Sequence, residues 1–330
     1  MEQEAPHCTV VIPTKNAMPL FGRVLDAVLA QRTPWRFDVL VIDSGSTDGS
    51  DTHAEARPGV RVIRIAPAEF GHGRTRNRAI AATASPFVAL LTHDAEPVND
   101  TWLASLVAPF AKDERIAGVF GRHVAWPDAD PFTRRDLDDH FRGFLVHPLV
   151  VDRETDAARY AGDIGWRQFL HFFSDNNACL RRSVWERTPY PDVEFAEDQL
   201  WARTIIEQGW RKAYAPDAVV HHSHDYGVFE RLQRAFDEAR SFKRDFGYDL
   251  SPNMRKALRA IGCLTARDGW FALKGPGRGP KLAALPRRFA QDVMLVLGHY
   301  LGNRYARLPV GLQGRLSRDR QLFIDAGTRG

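Results

Sequence analysis

The chain has 330 residues, 44% of them hydrophobic and 26% charged, which is ordinary for a soluble globular protein. It is long enough to bury one large hydrophobic core or two modest ones. Three scattered cysteines without a CxxC pair argue against a disulfide framework or a cysteine zinc site and fit a reducing cytoplasm. No apolar run reaches the roughly 18 residues of a membrane span, and we expect no signal segment before the first predicted strand.

The charge is unevenly distributed along the chain. The net charge is +4, but residues 255–330 hold 15 Lys and Arg against 4 Asp, which leaves −7 on residues 1–254. An acidic body with a basic tail suggests that the tail has a partner, either anionic lipid or another chain. Nucleic acid is not expected, because no aromatic-and-basic binding motif accompanies the charge.

The first part of the chain alternates strand and helix signals. Short apolar runs predict strands at 8–13, 37–42, 60–65 and 87–91, and apolar residues at helical spacing predict helices at 20–31 and 74–84. This alternation predicts an α/β fold, with a mostly parallel, Rossmann-like sheet flanked by helices.

The pattern changes in the second half. Residues 127–166 are rich in Arg, Asp and aromatics, which predicts an excursion over the site with an acceptor loop. Further signals predict strands at 176–182 and 213–222, helices at 197–208 and 229–246, and two or three helices after Pro252. We therefore place a domain boundary near 250, with a catalytic domain at 1–250 and a helical extension at 251–330.

Two acidic loops follow predicted strands, at the edge where open α/β sheets bind ligands. In the first, Asp43 could accept the ring N–H of a pyrimidine, because the small residues after it let a base approach. Alternatively, Thr47 or Asp48 caps the next helix, and we expect different residues to fill both roles. Thr14 and Asn16 could bind a nucleotide or could form only a strand-to-helix turn.

Basic residues stand at a predicted helix start. Arg74, Arg76 and Asn77 follow two glycines, and basic side chains with free backbone N–H groups suit a diphosphate. The alternative is a basic surface turn.

The second acidic loop predicts a metal site. Asp94 follows the wholly apolar run 87–91, and a charge near a buried strand is costly unless it is paired or metal-bound. Mn²⁺ or Mg²⁺, held mainly by oxygens and donor phosphates, would be its partner. Glu96 could be a second ligand or could face solvent.

Two later segments could supply a further metal ligand and a general base. A histidine of the segment 221–224 could be a further metal ligand; a zinc site is the alternative, but no HExxH or cysteine pattern supports it. Glu197 and Asp198 open a predicted helix, where the dipole favours acidic residues, and either could serve as a base.

Together these segments resemble glycosyltransferase family 2, inverting enzymes with the GT-A nucleotide-sugar fold, over about residues 8–250. Four motifs resemble its bacterial rhamnosyltransferase branch: FGHGxTRN at 70–77, LTHDAxP at 91–97, DNNACLR at 175–181 and VHHSHDY at 220–226. The tail after about 255 is similar to helical extensions that attach such enzymes to membranes.

The resemblance implies a role for each matched position. Asp43 would contact the base, Arg76 the donor phosphates, and Asp94 the metal, with His222 as the metal-associated histidine. Asp198 would be the general base, and Glu197 would orient the acceptor or support Asp198. The sequence departs from the family's usual metal motif at Thr92, where an Asp is expected, so fewer protein oxygens would hold the ion.

Residues expected at the nucleotide sugar are Pro13, Thr14, Asn16, Asp43, Ser44, Arg74, Arg76, Asn77 and His93. Residues expected near the acceptor are Asn176, Asn177, Trp201 and His224.

The function implied is transfer of a sugar, with L-rhamnose the leading candidate, from a dTDP- or UDP-linked donor. The acceptor would be a hydroxyl of a cell-surface glycan or lipid-linked molecule, with Mn²⁺ or Mg²⁺ as cofactor. The enzyme would be cytoplasmic, with peripheral contact to the inner face of the membrane through residues 255–330. Packing or a homo-oligomer interface is the alternative for that tail.

Three alternatives remain for the activity. The first is a transferase that uses another donor sugar. The second is a nucleotidyltransferase, for which the expected glycine- and lysine-rich triphosphate loop is not found. The third is a non-catalytic glycan-binding or scaffold protein on a transferase fold.

Overall fold

A computed structural model describes residues 6–318 of the chain. Nine strands of this part form one sheet: β1 Cys8–Thr14, β2 Phe37–Asp43, β3 Val60–Arg64, β4 Phe87–Leu91, β5 Glu96–Pro97, β6 Ile116–Val124, β7 Val150–Val151, β8 Asn177–Arg181 and β9 Arg211–His221. The α-helices are α1 Leu20–Leu29, α2 Ser50–Glu55, α3 His72–Ala81, α4 Trp102–Val107, α5 Pro131–Gly143, α6 Ala157–Gly162, α7 Ile164–His171, α8 Arg182–Trp185, α9 Glu197–Glu207, α10 Val228–Ser241, α11 Met254–Leu273, α12 Arg278–Gly302 and α13 Val310–Leu316.

The sheet is mixed but mostly parallel. Its strand order is β3-β2-β1-β4-β8-β6-β9-β5, with β7 also paired to β9. The β1–β4 strands run parallel, β8 is antiparallel to both β4 and β6, and β9 is parallel to β6. The short strands β5 and β7 are antiparallel to β9. This arrangement confirms the predicted α/β class with helices around the sheet.

Both faces of the sheet are buried. Alternate residues of each strand belong to different hydrophobic clusters, so Val10 and Val39 pack with α1 and α4, whereas Val11 and Leu40 pack with α3 and α9. Side chains of successive strand residues point to opposite faces, and strands covered on both faces read as continuous apolar runs. These runs are what made β1, β2 and β4 recognisable in the sequence.

Two regions differ from the sequence prediction. Residues 127–166, predicted as an excursion with an acceptor loop, contain α5, β7 and α6. Strand β6 was not predicted, because Gly118, Gly121 and the polar pair Arg122 and His123 interrupt its apolar pattern. The glycines have packing reasons: a Cβ at Gly118 would lie 2.8 Å from the Trp201 ring, and one at Gly121 would collide with the Ala218 carbonyl.

Contacts divide the chain into two compact units, Met1–Trp126 with Leu137–Ser223 and Pro127–Asp136 with His224–Gly330. The first unit holds the sheet. The second holds α10–α13 and the first residues of α5. The predicted boundary near 250 would instead leave α10 with the catalytic domain, and it stays a prediction of domain organisation. In the described part of the chain no helix is both long and apolar enough to cross a membrane.

In the second unit, α10 and α12 pack closely. A Cβ at Gly302 would lie 2.5 Å from the Phe236 carbonyl and 2.8 Å from the Ala239 Cβ, and Gly298 approaches α10 in the same way one turn earlier. Small residues on both helices let their backbones come together.

Candidate active site

The predicted functional segments meet at one edge of the sheet. Thr14 pairs with Asp43, so the carboxyl ends of β1 and β2 lie side by side. Asn177 lies opposite Leu91, so the antiparallel β8 begins where β4 ends. This is the edge at which open α/β sheets bind ligands.

The loop after β2 is built around the Asp43 carboxylate. Its Oδ1 accepts the N–H groups of Gly45 and Ser46 at 2.9 Å each, and its Oδ2 contacts the Ser46 hydroxyl. The Asp48 carboxylate accepts the N–H groups of Met18 at 2.8 Å and of Ser50, the first residue of α2, at 3.0 Å. Partial burial favours the protonated form of Asp48, but the hydrogen bonds from Ser50 and Met18 outweigh it and lower the pKa of Asp48. The N-cap of α2 is Gly49, without a side-chain cap bond, so neither Thr47 nor Asp48 is the N-cap that the sequence suggested. The base contact of Asp43 stays a prediction.

The residues after β1 face the same loop. Asn16 takes a positive φ of 46°, and its side-chain oxygen accepts the N–H of Thr47 at 2.7 Å. Ser44 donates its backbone N–H to the Thr14 carbonyl at 3.0 Å. The Nδ1 of His93 lies 3.3 Å from the Pro13 carbonyl, which ties the metal loop to β1. These five predicted donor-site residues are thus brought together with Asp43.

Helix α3 places its three predicted phosphate ligands differently. Arg74 is half exposed, 3.6 Å from the Asp192 carboxylate. Asn77 is used inside the protein: its amide donates to the Tyr190 carbonyl at 2.8 Å and accepts from Tyr190 N–H and the Trp185 indole. Arg76 is buried and bonded to carboxylates. Of the three side chains, Arg74 is the one that faces solvent.

A cluster of three carboxyl groups surrounds Arg76. Its Nη1 donates to Glu197 Oε1 at 2.7 Å, and its Nε lies 3.2 Å from Asp175 Oδ2. The Asp175 N–H lies 3.3 Å from Asp198 Oδ2, and Gln199 donates its N–H to Asp198 Oδ1 at 2.7 Å. Asp198 is half-buried whereas Asp175 and Glu197 are buried, so Asp198 is the most exposed acid of the cluster.

Two acids of the cluster, Asp175 and Asp198, hold their protons more tightly than ordinary aspartic acids do. Burial raises the pKa of Asp175 to about 7, with the Glu197 charge adding to the effect and Arg76 opposing it. Desolvation also raises the pKa of Asp198 well above its usual range, and the charges of Glu197 and Asp175 raise it further. A carboxylate with a raised pKa is a stronger base than an exposed aspartate.

The candidate metal pair is Asp94 and His222. Asp94 Oδ1 lies 3.6 Å from His222 Nε2, a separation that one cation can bridge because its bonds to such ligands are about 2 Å. Pairing of Glu96 with His221 in β5 and β9 brings the two segments together. Thr92 Oγ1, two residues before Asp94, is buried without a hydrogen-bond partner among residues 6–318. These donors fit a divalent ion that completes its shell with substrate oxygens.

Three other ionisable side chains, those of Glu96, His123 and His224, lie near Asp94 and His222 in the structure or the sequence. Glu96 Oε2 lies 2.6 Å from Arg23 Nη2, an ion pair that joins β5 to α1, and its part in metal binding stays a prediction. His123 is buried with its ring 5.3 Å from that of His222. Burial, with the neighbouring His222, lowers the pKa of His123 well below its usual value, so its ring is neutral. His224 follows two residues after His222, is exposed, and belongs to the second unit.

Two of the predicted acceptor residues lie in the core. Asn177 is fully buried, accepts from the Trp102 indole at 2.8 Å and donates to the Ala218 carbonyl at 2.8 Å. Trp201 is buried and donates to the Thr188 carbonyl at 2.8 Å. Both side chains therefore stabilise the fold, and we leave them out of the proposed acceptor site. Asn176 is half-buried, and its acceptor contact stays a prediction.

The sequence model of the family described as "Glycosyl transferase family 2" matches residues 9–188. The chain belongs to glycosyltransferase family 2. Its matched motifs surround the edge described above, and the GT-A fold and glycosyltransferase activity predicted from the sequence are thereby confirmed.

Related proteins extend the match beyond that segment. The chain is 32% identical to "O-antigen chain rhamnosyltransferase RfbN" of Salmonella typhimurium over 312 residues, 92% of this chain and 91% of the relative. It is 29% identical to "O-antigen chain rhamnosyltransferase WbaN" of Salmonella anatum, over 92% of each chain. These two matches confirm the predicted resemblance to the bacterial rhamnosyltransferase branch of the family.

Solved structures show the same fold. The mannosyltransferase PcManGT from Pyrobaculum calidifontis, solved with GDP-Man and Mn²⁺, has a TM-score of 0.55 and 22% identity, covering 99% of this chain and 87% of its own. S. aureus TarS 1–349 in complex with UDP has a TM-score of 0.52 and 16% identity, covering 89% and 90%.

Two site residues were missed by the sequence analysis. Asp175 stands directly before Asn176, at the start of a motif that was noted only as a family resemblance. Its signal is an acid two residues before the buried strand β8, whereas Asp94 was selected as an acid that follows a buried strand. Tyr190, whose hydroxyl donates to Asp175 at 2.6 Å, carries no comparable signal, because a lone tyrosine in a loop predicts nothing.

Proposed function

We propose that this glycosyltransferase moves an L-rhamnosyl group from a dTDP- or UDP-linked donor to a hydroxyl of a cell-surface glycan or lipid-linked acceptor. The choice of sugar is supported by the two relatives, which are named as O-antigen chain rhamnosyltransferases and match over nearly their whole length. The observation that carries the chemistry is the half-buried Asp198 carboxylate, set among buried acids at the ligand-binding edge.

Asp198 acts as the general base in a single displacement. Its carboxylate takes the proton of the acceptor hydroxyl while that oxygen bonds to the anomeric carbon. The bond from the anomeric carbon to the phosphate oxygen breaks, and its electron pair leaves with the nucleoside diphosphate. Because attack and departure occur on opposite faces, the anomeric configuration inverts.

The donor lies along the carboxyl ends of β1, β2 and β4. Asp43, with Asn16 and Ser44, contacts the nucleoside, and Arg74 meets the diphosphate from the start of α3. Asp94 and His222 would hold the divalent cation, which offsets the negative charge of the departing diphosphate when bound. A nitrogen ligand in this pair favours Mn²⁺ over Mg²⁺.

The test is nucleoside diphosphate release from a panel of dTDP-rhamnose, a UDP-hexose and GDP-mannose, with Mn²⁺ or with chelator. We expect the fastest turnover with dTDP-rhamnose and loss of turnover with chelator. Preference for another donor would overturn the sugar assignment. Binding of a glycan without turnover of any donor would indicate a binding protein instead.

We also propose that the second unit attaches the cytoplasmic enzyme to the inner face of an anionic membrane. On α11 the exposed residues Leu258, Trp270 and Leu273 share one helical face with Arg255 and Arg259, and the exposed Lys274 follows the helix directly. An apolar face with basic side chains around it suits the boundary between lipid headgroups and acyl chains. The predicted basic segment 255–330 extends beyond this, and its residues 319–330 lie outside the described part.

A further inference from the structure

We propose that Asp175 is a positioning residue of this active site, which orients Asp198 through its backbone N–H and places an ionisable carboxylate beside it. Arg76 would work in the same cluster, aligning Asp175 and Glu197, rather than on the donor diphosphate. The inference rests on the proposed function, in which Asp198 removes the acceptor proton.

Asp175 contacts Asp198, Arg76 and Tyr190. Its N–H points at Asp198 Oδ2 at 3.3 Å, and its own carboxylate lies 3.2 Å from Arg76 Nε. The Tyr190 hydroxyl donates to its Oδ1 at 2.6 Å. Its backbone therefore orients Asp198 while its side chain carries a charge close to that residue.

The partners of Asp175 are themselves held rigidly. Tyr190 exchanges two backbone hydrogen bonds with the amide of Asn77, at 2.8 and 3.0 Å, and Asn77 also accepts from the Trp185 indole at 2.8 Å. A Cβ at Gly73 would collide with the Pro191 carbonyl, so α3 lies directly against the Tyr190 loop. The position of Asp175 is thus set by the same helix that carries Arg76.

Charge explains what the arrangement does. Three carboxyl groups share the single guanidinium of Arg76, so full ionisation would leave excess negative charge in a poorly solvated place. The ionised forms of Asp175 and Glu197 raise the proton affinity of Asp198, while Arg76 lowers it. Tyr190, whose own pKa burial and Asp175 raise well above the usual value, remains a neutral donor.

Burial also argues against a phosphate role for Arg76. Its side chain is 7% exposed and both carboxylates that it contacts are similarly enclosed. Reaching a phosphate would break two buried ion pairs and leave two acids without a partner, which is costly. Arg74, half exposed on the same helix, needs no such rearrangement.

The experiment is the pH profile of kcat/KM for Asp175→Asn. The amide keeps the size and the backbone N–H but removes the charge, so Asp198 becomes a weaker base. We expect the acidic limb to move to lower pH by about one unit and the plateau to fall by about tenfold. The affinity for nucleoside diphosphate, measured by calorimetry, should stay within twofold. An unchanged profile would overturn the inference.

Two further variants provide a control and a separate test of Arg76. Glu207→Gln removes a half-exposed carboxylate at the far end of α9, where it pairs with Arg203, and should leave the profile unchanged. Arg76→Lys should alter turnover but hold nucleoside diphosphate affinity within twofold; a tenfold loss of affinity would return Arg76 to the phosphates. Failure of the proposed function is distinguishable, because it would show as near-normal turnover of Asp198→Asn whatever Asp175 does.

Discussion

At Asp94 the structure offers one carboxylate and the imidazole of His222 where the family's usual motif has an additional acid at the position of Thr92. With so few protein ligands, the loss of Asp94 should be decisive. We expect Asp94→Asn to need at least tenfold more Mn²⁺ for half-maximal turnover, and calorimetry with nucleoside diphosphate should show weaker Mn²⁺ binding. Asp100→Asn, at a half-exposed ion pair with Arg32, is the control. Normal turnover of Asp94→Asn at limiting Mn²⁺ would contradict the metal assignment.

Asp198 carries the proposed proton transfer. Replacing it by Asn keeps the shape and the Gln199 hydrogen bond but removes the base, so turnover should fall by about 100-fold or more. Nucleoside diphosphate should still bind, because the proposed mechanism places Asp198 at the acceptor and not at the nucleotide. A variant that no longer binds it in calorimetry would show that the residue is structural.

Asp175 should also make stability depend on pH. Its pKa of about 7 in the folded protein exceeds the ordinary value of 3.8, so the folded state holds a proton that the unfolded state releases between these values. The stabilising contribution is complete below pH 3.8 and is lost as the pH rises through 7. Asp175→Asn should therefore unfold at a higher temperature than the wild type at pH 8, with the difference shrinking toward pH 5. A constant difference would show that the carboxyl titrates normally.

At the scale of helices, α10 and α12 show how small residues set a close approach. Exposed helical glycine normally costs up to about 1 kcal/mol relative to alanine, yet Gly298 and Gly302 leave no space for a Cβ. We expect Gly302→Ala to destabilise the protein by about 1–3 kcal/mol, because overpacking outweighs the gain in helix propensity.

Gly262 provides the matched control for this prediction. It lies inside α11 with nothing within 4 Å of a Cβ, so Gly262→Ala should stabilise the full chain slightly. Thermal unfolding of both variants measures the difference. Equal effects of the two substitutions would mean that the α10–α12 contact is looser than the structure indicates.

At the scale of the whole molecule, charge separates the two ends of the sequence. The excess of Lys and Arg after residue 255 and the exposed face of α11 lead us to expect binding to anionic but not to neutral liposomes. Each basic residue near such a surface is worth about 1 kcal/mol. Arg255→Glu with Arg259→Glu should therefore weaken flotation with anionic vesicles by tenfold or more.

The control for flotation is charge reversal of exposed residues in the first unit, Arg61→Glu with Lys112→Glu, which should have little effect. Equal binding of the wild type to anionic and neutral vesicles, or binding to neither, would contradict the proposed electrostatic attachment to the membrane. The α11 face would then be left as a packing or dimerisation surface.

The sequence alone determined the fold class and the places where function could lie. Continuous apolar runs such as 37–42 and 87–91 identify strands buried on both faces, and the acids after them identify the ligand-binding edge, because parallel strands place their ends together. The family resemblance then supplied predicted roles for Asp43, Asp94 and Asp198. Local pattern and strand direction were sufficient for this much.

Only the tertiary structure decided how the side chains are used. Arg76 and Asn77 are neighbours in one basic motif, yet one lies among carboxylates and the other holds the Tyr190 loop. The polar groups of Asn177 and Trp201 likewise form hydrogen bonds inside the core. These outcomes depend on contacts between residues as many as 121 positions apart, and burial and charge there follow from packing in three dimensions, which no local pattern records.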